Sequence, residues 1–124
     1  MDDKLNYKNI IKQTLTLFPE YRKTNHFKDN DQELQYSFIA GFVRHVIDRI
    51  KNDKDGENSM EIKKYFDFFN EILNSEDVDL VNLGTVEIIE NLVQDKRIKS
   101  FSEQFLNQKA KKVLEQVLEY TGEK

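Results

Sequence analysis

The sequence predicts an all-α fold: a single domain over residues 1–124, built as a bundle of about five helices around a central αα-hairpin. Three observations predict it. Apolar residues recur at three- and four-residue steps along most of the chain, the period of a helix with one buried face. Only four Gly and one Pro occur in 124 residues, too few turn formers for the many short strands of a sandwich or barrel. Hydrophobic residues make up 38% and charged residues 34%, enough for one core of this size under a charged surface.

Helix one is expected over Leu5 to Phe18, with Tyr7, Ile10, Ile11, Thr14, Leu15, Leu17 and Phe18 on one arc and Lys4, Lys8 and Lys12 outside it. Pro19 lacks a backbone donor and biases Phe18 away from the helical region, so the helix stops there. The polar stretch Tyr21 to Asn30 reads as a loop whose Tyr21 and Phe27 lay two rings over the core. Asp31 is the expected cap of helix two, which carries Leu34, Phe38, Ile39, Phe42, Val43, Val46, Ile47 and Ile50 through about five turns. Gly41 sits off the centre of that arc, where it costs helix stability unless another backbone approaches closely. A polar turn, Lys51 to Asn58, contains Gly56.

Helix three, Ser59 to Asn74, bears Ile62, Tyr65, Phe66, Phe68, Phe69, Ile72 and Leu73 over an arc of roughly 160°, wide enough to touch more than one neighbour. The short break Asn74 to Asp77 returns the chain antiparallel and makes helices three and four the hairpin. Helix four, Glu76 to Asp95, places Val78, Val81, Val86, Ile88, Ile89, Leu92 and Val93 on one side, with Asp79, Glu87 and Glu90 opposite. Leu80 and Leu83 fall on the acidic side. They are either covered by the Tyr21 to Asn30 loop or a terminus, or they are exposed anchors of a carboxylate-rimmed interface. A basic turn, Lys96 to Lys99, leads through Ser100, Phe101, Ser102, Glu103 and Phe105, a capping-box pattern, into a last helix. That helix buries Leu106, Ala110, Val113, Leu114, Val117, Leu118 and Tyr120 and is stopped by Gly122.

Composition excludes several kinds of chemistry. No Cys is present, which removes disulfides, thiolate metal sites and a cysteine nucleophile, and two His leave little for an imidazole metal triad. The turn around Gly56 has Asp53 and Asp55 at EF-hand spacing, but Lys51 and Ile62 stand at the first and twelfth ligand positions, so no calcium site is expected. His26 and His45 read as surface residues. Glu87 and Glu90 lack the Glu-x-x-His partner of a carboxylate-bridged metal site, and no nucleophile elbow, phosphate loop or dinucleotide fingerprint occurs. The expectation is a protein that is not an enzyme, with no catalytic residues, metal or cofactor. No apolar run reaches the ~20 residues of a membrane span and no signal-peptide pattern opens the chain, so the expected compartment is the cytoplasm.

Charge is unevenly spread. Of the net −4, residues 1–56 contribute +1, residues 57–95 contribute −8 from ten acidic and two basic side chains, and residues 96–124 contribute +3. The basic residues Lys96, Arg97, Lys99, Lys109, Lys111 and Lys112 lie on several faces beside this acidic segment, so nucleic acid is not the expected partner. The acidic third reads either as a solvated outer face that serves solubility or as a docking surface for a basic protein, the latter formed by Asp67, Glu71, Asp79, Glu87 and Glu90 with Leu80 and Leu83.

The string YFDFFNEILNSEDVDLVNLGTVEIIENL resembles small bacterial all-helical domains of unknown function that are encoded near polymorphic toxins and suspected to be immunity proteins. The matching positions are Tyr65, Phe66, Phe69, Glu71, Asp77, Val78, Asn82, Leu83, Val86, Glu87, Glu90 and Leu92, about a quarter of the chain, with Phe18-Pro19 a weaker echo. The resemblance implies a cytoplasmic binding protein that neutralises a basic toxin domain. The competing expectation is a structural or regulatory helical protein that self-associates, as a homodimer, through the same apolar positions.

Overall fold

A computed structural model describes residues 4–30, 32–53, 56 and 58–121; among these the chain forms helices and turns and no strand. Helix α1 spans Ile10–Leu17, shorter at its start than the periodicity predicts. Asn6 and Asn9 explain the difference, because each side-chain carbonyl accepts the other's backbone N–H, at 2.8 and 2.9 Å. Such local bonds offer the backbone an alternative to the helix. Phe18 leaves the helix before Pro19 as expected, with φ −131°.

The stretch expected as a loop is instead two short helical pieces, a 3₁₀ turn Pro19–Lys23 and α2, Asn25–Asp29, the latter capped by Thr24 Oγ1 accepting from Phe27 N at 3.1 Å. Tyr21 is buried and Phe27 packs on the core, so the two rings do cover it. Helix α3 spans Gln35–Lys51 with Leu34 at its N-cap; the expected cap, Asp31, lies outside the described residues, as does Asp55 of the following turn. Gly56 takes φ 71°, the left-handed conformation that glycine adopts without penalty.

Helix α4, Ser59–Leu73, follows the sequence closely, and all seven apolar residues expected to be buried are buried. The chain turns at Asp77, whose carboxylate caps α5, Val78–Leu83, by accepting from Asp79 N and Leu80 N. Helix α5 runs without a break into a π segment, Gly84–Ile89, and α6, Glu90–Leu92. Both α5 and the π segment of this rod pack on α4, the helix that the sequence pairs with it. The last expected helix is two. Asp95 caps α7, Lys96–Glu103, through bonds to Arg97 N and Ile98 N, so the supposed basic turn is already helical. The capping box is not formed: Ser102 is buried and donates to Ile98 O at 2.7 Å. Asn107 Oδ1 then accepts Ala110 N and starts α8, Gln108–Thr121, while the expected stop at Gly122 lies outside the described residues.

Phe42 is the hub of the core, with ring centroids of Phe18, Tyr21 and Tyr65 at 5.2, 5.1 and 5.7 Å. Each such fully buried side chain contributes roughly 1.5–3 kcal/mol, and tilted or edge-on pairs add somewhat more. One hydrophobic cluster runs from Leu5 to Leu118 and joins α1, α3, α4, the rod, α7 and α8. Among the described residues no helix is long and apolar enough to cross a membrane.

Candidate functional site

The acidic rod is where sequence and structure part. On a uniform helical wheel Leu80 and Leu83 oppose Ile88, Ile89 and Leu92. In the structure all five are fully buried, and Leu80 and Leu83 are not interface anchors. The π segment accounts for this. An i→i+5 turn carries one residue more than an α turn, and that extra residue rotates the rest of the rod by roughly 100°. The buried large apolar side chains therefore step from Leu83 to Ile88, five residues, and both halves of the rod face the core. The same rotation turns Val78 and Val86 outward, 70% and 40% exposed, although the wheel places them inside.

The outward line of the rod is thus Val78, Asn82, Val86 and Glu90, at steps of four. Asp79 and Glu87 flank it on the side of α3, where their charges act on the Tyr36 hydroxyl. Asp79, Glu87 and Glu90 have no ion-pair partner within 4 Å among the described residues. The Glu87 carboxyl is pushed above its ordinary value by partial burial and by the like charge of Glu90, against the pull of Arg44. A carboxylate so placed gains from any cation that arrives.

The other two expected carboxylates belong elsewhere. Asp67 pairs with Lys63 at 3.0 Å, one helical turn away on α4. Glu71 lines a shallow cleft with Lys4, Leu5, Asn74, Ser75 and Glu76. The seven residues expected as one docking surface therefore divide into an open strip (Asp79, Glu87, Glu90), two α4 carboxylates in separate surroundings, and two core leucines.

A second polar constellation is assembled where α2, α3 and α4 meet. Arg49 donates to both oxygens of Glu61, at 2.8 and 2.9 Å, and Tyr65 donates its hydroxyl proton to Glu61 Oε2 at 2.6 Å. The Arg49 fork holds the Glu61 carboxyl below its usual range, with the Tyr65 bond adding to the effect. His26 Nε2 meets Asp48 at 2.7 Å, and His45 Nε2 lies 3.4 Å from the Tyr65 oxygen. His45 is half-buried rather than a surface residue, and burial lowers its pKa from 6.5, helped by the nearby His26 and Arg49. The sequence carried a signal for this cluster in two four-residue steps, His45 to Arg49 and Glu61 to Tyr65, on consecutive helices.

A family model described as a domain of unknown function, DUF7674, matches residues 11–121, and the chain belongs to that family. No curated protein and no solved structure matches it.

Proposed function

We propose that this DUF7674 member is a non-catalytic protein-binding module, acting in the cytoplasm, that receives a basic protein partner on the outward strip of its acidic rod. The observation that carries this reading is a combination along one helical line. Two exposed valines lie beside Asp79, Glu87 and Glu90, three carboxylates without an ion-pair partner among the described residues. Apolar contact supplies a desolvated centre, and the carboxylates around it steer a positive surface into register. A toxin domain that grips phosphate must be basic, so an immunity-type role fits this chemistry.

The test is calorimetric titration against the basic product of a neighbouring gene. Asp79→Lys together with Glu87→Lys is expected to weaken binding by about tenfold or more, and most at low salt, while the helical circular dichroism persists. Unchanged affinity would remove the strip from the interface. The exposed Val78 and Leu34, 70% and 59%, also suit contact between two copies. Light scattering separates that case: a dimer made monomeric by Val78→Lys would favour self-association.

A further inference from the structure

The 3₁₀ turn and α2 form a short helical segment between α1 and α3 in the chain. It packs on α1 and α3, and α2 itself buries no residue. Helices of five residues are not stable alone, so the docking of this segment depends on what holds it. Two groups of contacts do. Tyr21 stands edge-on to Phe27, Phe38 and Phe42, with centroids 5.7, 5.7 and 5.1 Å away. Arg44 donates to Asn30 Oδ1 at 3.2 Å, and His26 meets Asp48.

His45 sits at the junction of these contacts. Its ring lies 5.4 Å from Tyr21, 6.3 Å from His26 and 6.1 Å from Tyr65, so it touches the 3₁₀ turn, α2 and α4 at once. The single hydroxyl proton of Tyr65 is committed to Glu61, so the Tyr65 oxygen is an acceptor and the neutral His45 carries its proton on Nε2. A second proton must go to Nδ1, which has no hydrogen-bond partner among the described residues. The charged groups around the ring are His26 from α2, Asp48 and Arg49 from α3 and Glu61 from α4, with the phenols of Tyr21 and Tyr65 alongside. Glu61 and Asp48 are both engaged already, by Arg49 and Tyr65 and by His26.

We propose that His45 is a proton-operated latch: neutral, it locks the 3₁₀ turn and α2 onto α3; protonated, it releases them and uncovers the aromatic face of Phe38 and Phe42. The direction comes from linkage. His45 titrates below 6.5 in the folded chain, so its contribution is complete above that pH and is lost as the pH falls to the folded value.

Amide hydrogen exchange, corrected for intrinsic rates, tests the latch at about pH 7.5 and about pH 5, a window in which histidine changes charge. Protection of residues 20–30 is expected to fall severalfold at the lower pH while α4 stays protected. His45→Phe keeps the aromatic packing without the titration, and His45→Gln keeps a donor for Tyr65; in whichever of these folds, protection of 20–30 is expected to be independent of pH. His26→Gln is expected to retain the transition. Constant protection in the unaltered chain, or a transition that survives loss of His45 but disappears with His26, would overturn the proposal.

Discussion

A Cβ placed on Gly84 would stand 2.9 Å from Cδ2 of Leu73, and as close to Cγ2 of Ile72. Both neighbours are fully buried, so neither can yield toward solvent. The first residue of the π segment is therefore a point of tight packing between the rod and α4. Gly84→Ala gains about 1 kcal/mol of helix propensity and incurs overpacking of about 1–3 kcal/mol. The net expectation is a loss of about 1 kcal/mol, read as a lower urea midpoint with an unchanged slope.

Leu80 and Val78 are two residues apart and reversed relative to the helical wheel. Leu80→Ala is expected to cost about 2–5 kcal/mol as a core truncation, whereas Val78→Ala should stay within about 0.5 kcal/mol. Urea unfolding of the two variants checks the rotation imposed by the π segment. Equal effects would mean that the rod is a uniform α-helix.

Helix α4 was legible in the sequence because nothing interrupts its period: Ile62, Tyr65, Phe66, Phe69 and Ile72 occupy the places that a 100° wheel assigns. The rod was not, because a wheel has no term for an inserted residue, and Gly84 gives only a weak hint of one. Leu80 and Leu83 fall on the acidic side of a uniform wheel, to be read as covered or as exposed anchors, and the structure buries both. Asp79 and Glu90 are exposed after that rotation, and Glu87 is half-buried. The cluster around Glu61 was only half legible, for a different reason. Each residue follows helical spacing, but the pairing of α3 with α4 that joins Arg49 to Glu61 is tertiary.

Asp77 joins two distant parts of the chain. One oxygen caps α5, and the other accepts the backbone N–H of Tyr7 at 2.8 Å. These bonds, the one from Tyr7 first, hold its carboxyl below 3.8, so the stabilisation is present above that pH and fades as the pH falls through the folded value. Asp77→Ala is expected to lower the melting temperature and to speed amide exchange at Tyr7. Asp77→Ser can restore the cap alone, so it is expected to recover stability without slowing exchange at Tyr7.

Glu61 is the acceptor for both Arg49 and Tyr65, and each needs it differently. The guanidinium requires the negative charge, while the phenol requires only an oxygen lone pair. Glu61→Gln removes the first and keeps the second. Both members of the ion pair are about one-third exposed, so solvent screening limits the loss to about 1 kcal/mol at neutral pH. The folded carboxyl titrates below 4.5, so the stability gap between the unaltered protein and the Glu61→Gln variant is complete above that pH and should shrink as the pH falls through the folded value. Urea unfolding at stepped pH measures the gap directly. A gap that stayed constant down to the acid limit would mean that shape, rather than charge, makes this contact stabilising.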